Sequence, residues 1–261
     1  DKLMPSILKE TKADILVYGM GEKSICEIAN RLNSGEDIRA LKNVPQTVVE
    51  VEKTESNCIV LPSFEECIAG KKNFARHFTE LEKNSNAFDS LPIAEKTIDG
   101  FILANPPHQN EDIDGYYDLP FTRLPHPRYR KKPPIPAYEM IRHSVNIHRG
   151  CFGACSFCTI SMHQGRFIKS RSEENIHREL EEVKKMPDFK GTISDLGGPS
   201  ANMYGMGVKD VNLCRKCKRP SCLYPKLCKN INASHERLAK LYDQVSKTPG
   251  VNHVYVTSGL R

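Results

Sequence analysis

Along the first hundred residues, short apolar runs bounded by turn residues alternate with longer stretches whose apolar positions recur three and four apart. Residues 14–18 read as a strand, closed by the turn Gly19-Met20-Gly21 and followed by a helix on Ile25, Ile28, Ala29 and Leu32 that stops at Gly35. Residues 47–51 and 58–61 read as further strands. Ser63 with Glu66 three residues later has the form of a capping box, opening a helix that would bury Cys67, Ile68, Phe74, Phe78 and Leu81. One more strand is expected over 97–103. Alternating strands and helices imply an α/β layer in residues 1–104. Gly-x-Gly without the rest of a dinucleotide fingerprint is ordinary turn chemistry. Cys26, Cys58 and Cys67 have no ligand spacing and read as small core residues.

The pattern lapses over 105–138, where eight prolines deny the backbone the donors of a helix or ladder, so this stretch reads as a connector. Its basic patch, Arg128 to Lys132, belongs to no recognisable nucleic-acid module and reads as solvated. Regular patterning then returns. Residues 143–147 form a strand, Ser172 caps a helix with the stripe Ile176, Leu180 and Val183, and 191–195 form a second strand. A helix on Leu238, Leu241 and Val245 leads to a third strand over 251–257. Successive β-helix-β units imply parallel strands joined by right-handed crossovers. In barrels of that kind chemistry gathers at the C-terminal strand ends.

The chain has 261 residues with 39% hydrophobic content, enough for a sizeable core. It carries no apolar run long enough to span a bilayer and no signal-peptide pattern, so no membrane association is expected. The formal charge of +6 favours an anionic partner only weakly, because 38 basic residues are interspersed with 32 acidic ones. Ten cysteines would suit a disulfide scaffold, but seven fall in two tight clusters, the spacing of metal sites in a reducing cytoplasm. A start without methionine and an end just after a strand suggest a piece of a longer protein.

The first cluster is Cys151-Phe-Gly-Ala-Cys155-Ser-Phe-Cys158, a C-x3-C-x2-C run. Three thiolates on a four-iron cubane leave one iron open to another ligand. A zinc knuckle completed by His148 or His163 is the competing assignment. The second cluster, Cys214, Cys217, Cys222 and Cys228, offers four thiolates in a segment without apolar periodicity, which a bound ion would order. Its spacing is compatible with a structural zinc or with a second iron–sulfur cluster.

The C-x3-C-x-aromatic-C run, with Phe157 in the aromatic slot, resembles the signature of radical S-adenosylmethionine (SAM) enzymes. A longer block resembles the YgiQ family of radical SAM proteins. It comprises Tyr117 to Pro127, Ile135 to Ile141, Ser144 to Cys158, His163 to Ile168, Ser170 to Glu174 and Ile193 to Pro199, with Cys222-Leu-Tyr-Pro, Cys228-Lys-Asn and Ser258-Gly-Leu-Arg261; a weaker match covers Ala13 to Glu22. The resemblance implies the C-terminal part of a Rossmann-like, cobalamin-domain-like layer, followed by the first β/α units of a radical SAM partial TIM barrel. The barrel portion would begin at 139 and carry a Cys-rich insertion at 199–233.

The resemblance also implies a 4Fe-4S cluster on Cys151, Cys155 and Cys158, and SAM held at its methionyl end by Gly197 and Gly198. Phe157 would pack near the adenine, with Pro199, Ser258 and Arg261 as further SAM contacts. Relatives carry Gly-Gly-Glu where this chain has Gly197-Gly198-Pro199, so a backbone role survives there and a carboxylate role does not. No Asp-x-His-x-x-Gly pattern is present, so bound cobalamin is not implied. An electron donor such as flavodoxin or ferredoxin is the implied partner, and the substrate is left open. A zinc-dependent nucleic-acid-binding module and a non-catalytic iron–sulfur protein are the alternatives; zinc is colourless, and only an open-site cluster responds to SAM.

Overall fold

The computed structural model describes residues 3–85, 88–108, 112–198, 201–217, 219 and 221–260. The chain divides into two units. The first is Asp1–Asn110 with two excursions, Ala154–Gly165 and Asp210–Pro225; the second is Glu111–Gly153, Arg166–Lys209 and Lys226–Arg261.

The first unit is built on a five-stranded sheet. After α1 (Ile7–Thr11) come β1 (Leu16–Val17), α2 (Glu22–Asn33), β2 (Thr47–Val51) and β3 (Ile59–Leu61), then α3 (Phe64–Ala69), α4 (Lys71–Ser85), β4 (Ile93–Thr97) and β5 (Gly100–Ala104). The strand order is β1-β2-β5-β4-β3. Only β3 and β4 run parallel; the other three pairings are antiparallel. The layer is therefore mixed, where a Rossmann-like layer would be parallel.

The strand expected over 97–103 is instead a hairpin, with Thr97 opposite Gly100. Ile98 and Asp99 make the turn, and Gly100 opens β5 at φ +147, where a Cβ would run into the Val51 carbonyl.

The capping box is present: Ser63 Oγ accepts from Glu66 N at 3.2 Å, and the Glu66 carboxylate accepts from Ser63 N at 2.8 Å. The helix it opens stops at Gly70, whose extended backbone (φ −155) separates α3 from α4. Of the expected buried stripe, Cys67 is buried and Leu81 half-buried, while Ile68, Phe74 and Phe78 are exposed. Ile25 and Leu32 on α2 are exposed as well, and so is Cys26; Cys58 is half-buried. The capping box opens α3, and packing by neighbouring elements decided which helix faces were covered.

The second unit opens with α5 (Asp114–Tyr117) and α6 (Pro136–Ile141), followed by β6 (Ser144–Asn146), β7 (His148–Arg149), β8 (Lys169–Ser170) and α8 (Glu173–Lys184). Then come β9 (Thr192–Ile193), β10 (Asp195–Gly197), β11 (Gly207–Val208), β12 (Ile231–Asn232), α10 (Glu236–Ser246) and β13 (His253–Val254). β10 pairs parallel with β6, and β13 parallel with β9. The expected strand 191–195 is thus two short ones either side of Ser194, bridged to both neighbours by Ser194 N to His143 O and Leu196 N to Tyr255 O. Parallel pairing and both intervening helices are present, but the strand expected over 143–147 is β6 with β7 beyond Ile147, and that over 251–257 is only His253–Val254.

Ser172 Oγ caps α8 by accepting from Asn175 N at 3.1 Å. The stripes of α8 (Ile176, Leu180, Val183) and α10 (Leu238, Leu241, Val245) close on Val145, Ile147, Ile193 and Leu196 in one core. Fully burying each such side chain contributes on the order of 2 kcal/mol.

The proline-rich connector is docked on this core. Ile113 is buried, the Asp114 carboxylate accepts from Ser172 N at 3.1 Å, and Asn175 Nδ2 donates to Asp114 O and Asp118 Oδ1. Arg171, fully buried, pairs with Glu179, donates to Asn146 O at 2.6 Å and stacks on Tyr117 at 4.0 Å from the ring centroid. Arg123 pairs with the same Glu179, so one carboxylate serves two cations. The basic residues Arg128, Arg130, Lys131 and Lys132 are exposed around Tyr129, as expected of a solvated patch.

Candidate functional site

The residues expected to form the site fall in three features. The first is the cysteine loop, which leaves β7 through Gly150 at φ +89. Cys151 is buried and receives Gly153 N on its Sγ at 3.4 Å. Cys151 belongs to the second unit, and Cys155 and Cys158 to the first. Both are half-buried, and Cys158 N donates to Cys155 O at 3.0 Å, closing a tight turn. Phe157, assigned to the adenine, is 90% exposed.

The second feature is the end of β10. Leu196 O accepts from both Tyr242 Oη and Asn202 Nδ2, and Gly197 O accepts from Ile147 N at 2.8 Å. This fixes the backbone leading into Gly198. A Cβ on Gly197 would overlap Ser258 Oγ, and one on Gly198 would overlap the His148 ring, so both positions require glycine for space. His148 is fully buried; its Nε2 accepts from Met203 N at 3.0 Å, which removes that nitrogen from any zinc site, and among the described residues Nδ1 completes no hydrogen bond. Burial pushes its pKa down to about 4, the Arg149 backbone pulling the other way, so the ring is neutral near pH 7.

The third feature is Ser258 beyond β13. Asp195 on β10 accepts from Thr257 N at 2.9 Å and from Ser258 N and Oγ at 3.4 Å, tying the two strand ends together. Pro199 and Arg261, the other expected SAM contacts, lie outside the described residues. His148 was singled out from sequence only as a zinc-knuckle candidate, and Asp195, Asn202 and Tyr242 not at all, because nothing local marks a residue that supports a distant backbone. Their signal, polar residues beside strand ends and at an apolar helix's edge, is too common to select them.

The second cysteine set begins on α9 (Val211–Arg215), capped by Asp210, whose carboxylate accepts from Asn212 N at 2.8 Å. Cys214 and Cys222 are buried, Cys217 and Cys228 half-buried. Arg215, beside Cys214, pairs with Asp89 at 2.6 Å and stacks on Phe88, so this segment is held by the first unit. The base of the insertion is the antiparallel pair β11–β12, in the second unit.

None of the ten cysteines is in a disulfide. Both sets therefore have the chemistry of soft-metal donors. Among the described residues, no three of His, Cys, Asp and Glu are gathered around one point as a metal ion would require. The Cys151, Cys155 and Cys158 thiols fit an iron–sulfur centre in kind and number.

A family profile described as radical SAM N-terminal matches residues 1–144. The chain is 48% identical to a UPF0313 protein of Porphyromonas gingivalis, the match covering all of this chain and 42% of that protein. It is 47% identical to a UPF0313 protein of Bacteroides thetaiotaomicron and 42% identical to one of Methanocella arvoryzae, in each case over its whole length and 45% and 44% of theirs. The chain thus spans less than half the length of these relatives. Among its described residues no helix is long and apolar enough to cross a membrane.

Proposed function

This chain belongs to the YgiQ-like radical SAM family, and we propose that it is part of a radical SAM enzyme whose loop cysteines Cys151, Cys155 and Cys158 hold a 4Fe-4S cluster beside bound SAM. The observation that supports this reading is a C-x3-C-x2-C loop following β6 and β7, with β6 paired in parallel to β10, the strand that ends in Gly197-Gly198, since ligands bind at such strand ends. When bound and reduced, by a donor such as flavodoxin or ferredoxin, the cluster would supply the electron that splits SAM into methionine and a 5′-deoxyadenosyl radical.

The chain's own residues bind and orient. Gly197 and Gly198 offer backbone to the methionyl end, at a position held by Tyr242, Asn202 and the buried His148. Ser258, fixed by Asp195, lies on the adjoining strand end, and Pro199 and Arg261 complete the assigned contacts. Phe157, exposed on the loop, is free to cover the adenine. The second set, Cys214, Cys217, Cys222 and Cys228, is assigned to a structural zinc or a second iron–sulfur cluster.

The test is anaerobic reconstitution of the full-length protein. The wild type is expected to show broad brown absorption and, once reduced, an electron paramagnetic resonance signal altered by SAM. Replacing Cys151, Cys155 or Cys158 with Ala should remove the SAM response. Retention of that response by all three variants overturns the assignment, and a colourless zinc-loaded wild type favours the nucleic-acid-binding alternative.

A further inference from the structure

The glycine turn after β1 is clamped by a residue far from it in sequence. Gln46, buried at φ +62, donates its side-chain amide to Tyr18 O at 2.8 Å and to Met20 O, the carbonyls on either side of Gly19. Gln46 O accepts from Tyr18 N at 3.2 Å, and Gln46 N donates to Pro106 O at 2.8 Å. The turn is therefore fixed from the sheet side and cannot slide away from a neighbour.

Its other side meets the cysteine loop. Gly19 adopts φ +66, and a Cβ there would lie 2.5 Å from the backbone oxygen of His163 and 3.2 Å from Gln46 Nε2. His163 ends α7 (Ile160–His163), the single helical turn that follows Cys158. That turn is closed by His163 N to Thr159 O and Gln164 N to Ile160 O, both at 2.8 Å. Gly19 thus meets two requirements, a left-handed backbone and an unobstructed face against another backbone. Turn and loop lie in the same unit, although Cys151 does not.

We infer that the Gly19 turn is the seat of the cysteine loop: through the His163 backbone it positions Cys155 and Cys158, so the N-terminal sheet sets where two of the three cluster thiols stand. The role in cluster assembly rests on the radical SAM assignment of those cysteines; the seating of the loop does not. Gly19 acts as a positioning residue, through the His163 backbone.

Full-length Gly19→Ala is compared with Gly35→Ala, which has the same kind of backbone strain at φ +92 but nothing within 4 Å of the added carbon. Gly19→Asn adds a variant that tolerates the left-handed conformation yet keeps the clash. Millisecond hydrogen exchange of the metal-free protein is read at the amides of Cys158, Met162, His163 and Gln164, with the β2–β5 ladder as internal reference. Both Gly19 variants should exchange faster at the loop by about tenfold, with the ladder unchanged and Gly35→Ala like wild type. After reconstitution they should retain less iron per chain than wild type.

Loop exchange in Gly19→Asn equal to that of Gly35→Ala overturns the seat, as does a Gly19→Ala effect spread evenly over loop and ladder with Gly19→Asn silent. Faster loop exchange with undiminished iron overturns the link to the cluster. A wild type that takes up no iron overturns the radical SAM assignment alone, since the exchange comparison is made without metal.

Discussion

His148 illustrates how a single buried side chain ties local chemistry to stability. Its Nε2 accepts the Met203 amide, and its ring fills the space left by Gly198, so a proton on that nitrogen would set donor against donor in a fully buried site. Burial therefore holds the folded pKa at about 4, against 6.5 for the unperturbed ring. Because the folded value is depressed, the stabilisation is complete above about pH 6.5 and is lost progressively as the pH falls toward about 4. There the unfolded chain binds a proton that the folded one refuses, worth about 3 kcal/mol in all. Urea unfolding at about pH 7 and about pH 5 checks this: His148→Gln should show a shallower loss of stability with acidification than wild type. Equal slopes would mean that the ring is not held neutral by the fold.

At the scale of elements, the two unit cores predict opposite sensitivities for residues that look alike in sequence. Leu180 on α8 is fully buried between α10 and the parallel strands, so Leu180→Ala should cost about 3 kcal/mol through lost burial and the cavity left behind. Phe74 on α4 has the same helical spacing but is 46% exposed, and Phe74→Ala should cost well under that, within about 1 kcal/mol. Ser172→Ala, which removes the α8 cap, falls between them at about 1 kcal/mol. Chemical denaturation of the three variants ranks them; a Phe74 cost equal to that of Leu180 would show that α4 is covered. Caps and stripes were legible because they depend on residues three and four apart. Which stripe would be buried was not legible, because that depends on what another segment brings to it.

Across the whole molecule the two cysteine sets are expected to act independently, since each lies on its own segment with its own supports: β7 for the first set, and α9 with the Arg215–Asp89 pair for the second. Metal analysis of the Cys151/Cys155/Cys158 triple Ala variant should still find zinc or iron, and further replacement of Cys217 and Cys222 should remove it; a folded triple variant devoid of metal would contradict independence. The parallel strands within 143–147 and 251–257 and the helices between them were readable from local pattern, because caps and apolar periods are written within a few consecutive residues. Tertiary structure decided the rest. It made a hairpin of 93–104, docked the proline-rich connector through Asp114, Arg123 and Arg171, and set the Gly19 turn beneath His163. Each of these depends on which distant backbone or charge satisfies a group once water is excluded, and that choice is made by competition among segments only when the chain has closed on itself.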